Sequence, residues 1–305
     1  MSWRGLRRSS SQSRKRGLTG KSGLNKSIRP ITSVIEGIQT SDGAGVKLKR
    51  IIGSLELDTL DPFLLLDEFK NDDPKAYSSG FPPHPHRGFE TVTYMLHGNF
   101  RHKDSVGHEG LLTDGSVQWM TAGRGVIHSE MPEQTEGLIW GFQLWINLPK
   151  KLKMVEPAYQ DILSDTIPEV VQDGTLVKVI AGKLEEEDGP AQTKIGTLYL
   201  DIHLQGESDF VASIPKGWNG FLYVYEGSVK SGDGITVGTG HLAVLGTEGE
   251  VRFTDSSGDT RTLLVAGEPI NEPIARGGPF VMNTRGEVLQ AFEDYQNGVF
   301  DKAVS

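Results

Sequence analysis

No cysteine occurs among the 305 residues, which excludes a disulfide framework, a Cys-ligated zinc site, an iron–sulfur cluster and a thiol nucleophile. Any metal must therefore be held by His, Asp or Glu, nitrogen and oxygen ligands suited to iron, manganese, nickel, copper or zinc. Long apolar runs are lacking too. The longest candidates, such as Phe63-Leu64-Leu65-Leu66, have the length of a buried strand and fall far short of the ~20 residues that a helix needs to cross a bilayer. No membrane role is expected. Gly-x-Ser-x-Gly is absent, which removes support for a serine hydrolase, and Gly123-Arg124-Gly125 lacks the Lys-Ser/Thr of a phosphate loop. Those glycines are read instead as a tight strand bend that lets the backbone approach a metal.

Acids are missing from residues 1–30, which carry nine Lys or Arg among serines. The rest of the chain then holds 22 bases against all 40 acids, and such a surface repels phosphate, so nucleic acid is not expected as a direct partner. Residues 1–30 cannot bury a core and are expected to form a disordered tail, dispensable for folding and metal loading. An organellar transit peptide, a nuclear-import patch around Arg14-Lys15-Arg16, a phosphate-attracting tail and a tail without function all remain open.

From residue 31 onward the chain reads as a β protein of one large domain or two modest ones. Short apolar or alternating segments recur at Val46 to Ile52, Glu90 to Leu96, Leu138 to Leu148, Leu176 to Ile180, Leu198 to Leu204, Phe221 to Tyr225 and Thr262 to Ala266. Turn dipeptides such as Asp42-Gly43, Asp114-Gly115, Asn219-Gly220 and Asp233-Gly234 punctuate them. Many short strands at this spacing predict antiparallel sandwiches or barrels, which hide their edges. One helix is predicted over Glu287 to Phe300, where Val288, Ala291, Phe292 and Tyr295 fall at spacings of three and four. The segment from Leu148 to Pro157 marks the crossing between two halves.

Six of the eight histidines lie between residues 84 and 128. In a strand, residues i and i+2 point to one face, so His84-Pro85-His86 presents two imidazoles together and His128-Ser129-Glu130 an imidazole beside a carboxylate. A single H-x-H on a surface strand carries no such meaning. Two pairs on strands lining one barrel would converge four ligands and leave open positions on a six-coordinate metal. Glu90 shares the parity of His84 and His86 if the strand runs on, either as a fifth inward group or as a carboxylate orienting an imidazole; pairing to Arg87 or Arg124 is the alternative. His97 is expected at a strand end, His102 and His108 in a solvated loop, and His203 and His241 in structural positions.

These stretches resemble the cupin superfamily and, within it, the pirin family. The first metal motif reads His84-Pro85-His86-Arg87-Gly88-Phe89-Glu90-Thr91, and the second runs from Trp119 to Pro132 through Gly123-Arg124-Gly125 and His128-Ser129-Glu130. The segments Leu60 to Phe69, Gly141 to Pro149 and Glu268 to Thr284 look like pirin as well, and the resemblance runs from about residue 33 to 300. It implies an all-β bicupin: two packed β-barrel (jelly-roll) domains in one chain with a short C-terminal helix. The expected division is 1–30 tail, 31–160 metal-binding cupin, 161–305 cupin without metal, since Trp218 and Asn219 stand where a His pair would be needed. It further implies one mononuclear metal, usually iron as Fe(II), with Mn, Ni, Cu, Co or Zn as alternatives, on His84, His86, His128 and Glu130. Glu90 is not a ligand in pirins.

The family's activities are of two kinds. One is quercetin 2,3-dioxygenase, an oxidoreductase opening a flavonol ring with O₂, in which Glu130 or Glu90 would take the proton of the substrate hydroxyl. The other is an iron-dependent, redox-sensing transcription co-regulator that binds transcription factors or signalling proteins. A metal-stabilised scaffold without turnover is a third reading. A monomer is expected, in the cytoplasm or the nucleus.

Overall fold

A computed structural model describes residues 27–302, apart from 106, 173 and 207. The tail expected over 1–30 thus lies mostly outside the described residues. Every predicted strand segment is a strand: Phe89–His97, Thr175–Ala181, Thr197–Gln205, Asn219–Glu226 and Asp259–Gly267 extend by one to three residues at each end, Ile139–Asn147 is shorter by one at each end, and Val46–Ile52 is as predicted. The helix is Arg285–Gln296 rather than 287–300. It starts early because Thr284 caps it reciprocally with Glu287, and it stops at Asn297 and Gly298, the latter at φ 64°.

Two seven-stranded antiparallel sheets form the centre of the molecule. The first runs Ala158–Ile162, Val117–Thr121, Phe89–His97, Ile139–Asn147, Phe63–Asn71, Val46–Ile52, Ile38–Asp42. The second runs Ile31–Glu36, His241–Leu245, Asn219–Glu226, Asp259–Gly267, Thr197–Gln205, Thr175–Ala181, Glu169–Gln172. A four-stranded sheet closes each into a cupin barrel: Phe81–His86, Val126–Pro132, Phe100–Asp104 and Glu109–Leu112 in the first, and strands between Asp209 and Asp255 in the second. The second barrel is filled by aliphatic and Phe side chains, among them Val177, Leu200, Phe210, Leu222, Phe253 and Leu264. The first holds two smaller clusters, Leu48, Phe69, Met95 and Phe100 with their neighbours, and Met120, Ala122 and Val126.

Because side chains alternate along a strand, each seven-stranded sheet has a second apolar face. These outer faces pack on each other. Val92, Tyr94, Trp119, Phe142 and Leu144 of the first meet Tyr199, Phe221, Tyr223 and Val265 of the second in one core. Phe63 meets Phe221 edge to face at 5.3 Å, a contact worth about 0.5–1.5 kcal/mol beyond its burial. Two buried carboxylates bridge the layer. Asp201 accepts hydrogen bonds from Tyr94 at 2.6 Å and Tyr225 at 2.5 Å, and Glu68 from Trp140 at 2.9 Å and Tyr223 at 2.6 Å. Each therefore holds one donor from either sheet.

The chain ends cross between the barrels, so the expected boundaries at 30/31 and 160/161 do not follow the sheets. Ile31–Glu36 pairs with His241–Leu245 of the second sheet, and residue 160 lies inside a strand of the first. Arg29 is buried, and its guanidinium donates to the carbonyls of Ile214, Pro215, Trp218, Gly246 and Gly249. Residues 29 and 30 therefore belong to the folded body and not to a dispensable tail. At the other end, Ala275–Gly277, Phe280–Met282 and the helix return to the first barrel, where Val281 N–H donates to Arg87 O at 3.0 Å. No helix among the described residues is long and apolar enough to cross a membrane.

Candidate metal centre

His84 and His86 lie on Phe81–His86, and His128 and Glu130 on the adjacent Val126–Pro132. The antiparallel register sets His128 opposite His84 and Val126 opposite His86, which puts the three rings on one face. Ring centroids stand 4.7 Å apart for His84–His86, 4.4 Å for His84–His128 and 5.0 Å for His86–His128. One nitrogen from each ring lies within 4.8 Å of the others. The register shifts between His128 and Glu130, so Glu130 comes opposite Phe81, farther along the strand. Its carboxylate is not part of that close trio but lines the same cavity as His84 and His86.

Burial, then the neighbouring imidazole of His84, holds the His86 ring well below the usual histidine range; burial, then His86, His84 and His102, does the same for His128. Both are therefore neutral at pH 7 and present lone pairs. His128 Nε2 and His86 Nδ1 are buried with no hydrogen-bond partner. His84 Nδ1 lies 2.8 Å from Pro82 O, which accepts its proton and leaves Nε2 as the free donor atom. Three imidazoles with unengaged nitrogens, converging at one cavity, fit a divalent transition metal. Thr93 Oγ1 donates to Glu130 Oε1 at 2.8 Å, and it also lies 2.6 Å from the Gln143 side-chain oxygen. One hydroxyl carries one proton, so donation to the carboxylate requires Gln143 to turn its amide NH₂ to Thr93.

Glu90 is not brought to this site. Gly88 adopts φ 91° between the two strands and resets the alternation, so Glu90 falls on the face of Val92 and Tyr94, toward the second sheet. There it accepts from Thr121 Oγ1 at 2.6 Å, and burial raises its pKa against the opposing bonds of Thr121 and Trp119. Nor does it pair with Arg87 or Arg124, which are bound to Asp294 and Glu156. The glycines serve chain segments and not the metal: a Cβ at Gly123 would meet Val155 O at 2.2 Å, and one at Gly125 would meet Phe300 O at 2.7 Å.

His102 is buried on Phe100–Asp104, not in a solvated loop, with its Nδ1 3.3 Å from His128 Nδ1. Its signal was the parity it shares with apolar Phe100, hidden by the charges of Arg101, Lys103 and Asp104. His97 and His108 are exposed, and His203 is bonded to Asp259 at 2.6 Å. The cavity has a volume of about 560 Å³, inside the range of about 300–1,000 Å³ usual for small-molecule sites. Leu48, Leu65, Phe69, Phe81 and Trp145 give it apolar walls, and Arg276 and Pro279 of the returning C-terminal arm complete its rim.

Two family models match the chain, Pirin over residues 45–146 and the Pirin C-terminal cupin domain over 199–301. A pirin-like protein of Caulobacter vibrioides is 48% identical over 90% of this chain and 99% of its own length. The crystal structure of quercetin 2,3-dioxygenase from Acinetobacter baumannii superposes with a TM-score of 0.84 at 34% identity, covering 90% of this chain and 99% of that one. A bacterial pirin from Escherichia coli in complex with nickel(II) shares the fold, with a TM-score of 0.63 at 18% identity over 78% of this chain and 98% of that one. Matched in both barrels and along nearly all of its described length, the chain belongs to the pirin family.

Proposed function

We propose that the protein is an iron(II)-dependent dioxygenase acting on flavonols, of the quercetin 2,3-dioxygenase type. The observation that carries this reading is the convergence of His84, His86 and His128 at a cavity of about 560 Å³ that Glu130 also lines. The three imidazoles would hold the metal, with Glu130 as the fourth ligand. An iron ion bound there would supply coordination positions for a substrate oxygen and for O₂, together with the redox activity that oxygenation needs.

The chain's own residues supply the rest. Glu130, fixed by Thr93, is the base for the proton of the flavonol hydroxyl, and Glu90, on the far face of its strand, has no part in this step. Leu48, Leu65, Phe69 and Phe81 match the flat ring faces of a flavonol and displace water around them. The 34% identical dioxygenase of Acinetobacter baumannii supports the substrate class.

Quercetin turnover by iron-loaded protein, followed in air and under nitrogen, tests this reading. Quercetin loss should require O₂ and consume it. Glu130→Gln should lower turnover about 100-fold or more, the usual weight of a general base, while lowering metal content less. Equal quercetin loss with and without O₂, or none with iron bound, would contradict it.

A further inference from the structure

His102 touches the metal set without belonging to it. The ring is buried on Phe100–Asp104, tilted at 4.8 Å against Tyr159 and at 5.1 Å from the His128 ring. Its Nδ1 lies 3.3 Å from His128 Nδ1, and both atoms belong to rings deep in the barrel wall. We infer that His102 is a positioning residue, which accepts the Nδ1 proton of His128 and thereby turns the Nε2 lone pair of His128 toward the metal. The inference rests on the metal centre proposed above.

A neutral imidazole carries one proton on one of its two nitrogens. Between two facing Nδ1 atoms only one proton can sit, so one ring donates and the other accepts. If His102 donated, His128 would carry its own proton on Nε2 and could not ligate through that atom. If His128 donates, its Nε2 is bare, and that is the buried atom left without a hydrogen-bond partner. His102 Nε2 likewise has no such partner among the described residues, so the contact with His128 decides where the His102 proton resides. Metal ligands of this kind are commonly fixed by a carboxylate or a carbonyl acting on the second ring nitrogen. His84 follows that rule through Pro82 O, whereas His128 has a second histidine in that place.

Two substitutions separate the acceptor from the packing. His102→Phe keeps a ring against Tyr159 but offers no acceptor, and His102→Asn places a carbonyl oxygen near the former Nδ1. Zinc(II), diamagnetic and suited to imidazole, is the probe, with affinity read by competition against a chromophoric chelator and fold by thermal melting. His102→Phe should bind zinc about 10–100-fold more weakly than the unmodified protein, and His102→Asn should recover most of that loss. In the zinc-loaded unmodified protein, long-range ¹H–¹⁵N correlation should place a proton on His128 Nδ1 and none on His102 Nδ1. That spectrum needs no variant and so survives a folding failure of either one. Unmodified affinity in a folded His102→Phe protein, equal losses in both folded variants, or a bare His128 Nδ1 would overturn the inference. Failure of the unmodified protein to bind zinc would instead strike the metal centre itself.

Discussion

His86 and His128 are neutral because the fold has taken them out of water, and this has a consequence for pH. For both rings the folded state binds protons less readily than the unfolded chain, whose imidazoles titrate near 6.5. In metal-free protein their contribution to stability is thus present above pH 6.5 and is lost as pH falls below it, where the unfolded chain gains protons that the fold refuses. For metal uptake the same shift works the other way. Two exposed imidazoles would weaken a metal about 15-fold between pH 7.5 and 6 through proton competition. His86 and His128 should contribute almost nothing over that range. Zinc affinity at pH 6 should therefore lie within a few-fold of its value at pH 7.5, while the melting temperature of metal-free protein falls over the same interval. A loss of about 15-fold or more would mean that the rings titrate as if solvated.

The strand is the element that turned sequence spacing into a site, and also the element that misled. His84, His86 and His128 are legible because an i,i+2 pair needs no more than a regular strand, although neither Phe81–His86 nor Val126–Pro132 is among the segments that apolar alternation marks. The condition that would put Glu90 on the metal face, a strand running on from His86, fails at Gly88, whose positive φ is invisible in a two-residue period. His102 reads as a loop residue because charged neighbours mask a strand with one inward face. The helix start was missed for a related reason: apolar periodicity reports burial, whereas the cap from Thr284 to Glu287 lies outside that pattern. Gly88 itself is a test at this scale. A Cβ there would sit 2.0 Å from Val281 O in a backbone conformation that favours glycine. Gly88→Ala should cost about 2–4 kcal/mol in urea unfolding and reduce metal loading, because the His84–His86 strand would move. A cost near zero would show that the turn adapts freely.

At the scale of the molecule, the two barrels are one packed unit. Their outer faces share a core, Asp201 and Glu68 each take donors from both, and the chain ends tie each barrel to segments distant in sequence. Lys153 is one such tie, its buried ammonium donating to Gly88 O, Asn147 Oδ1 and Val281 O. None of this could be read from the sequence, because an outward apolar face and an inward one leave the same alternating pattern. Arg29 was likewise indistinguishable by composition from the basic residues before it. A chain beginning at Ile31 lacks its bonds to five carbonyls and should be less stable than one beginning at Ser27 by about 2–4 kcal/mol. Its melting temperature should drop by about 5 °C or more, and equal melting would assign Arg29 no structural role. The central claim concerns the whole chain as well: it is built to carry one metal on His84, His86 and His128. Elemental analysis after metal loading and desalting tests that claim most directly. One ion per chain is expected in the unmodified protein and almost none in His86→Ala and His128→Ala, with circular dichroism unchanged. Full metal content in both variants would contradict it.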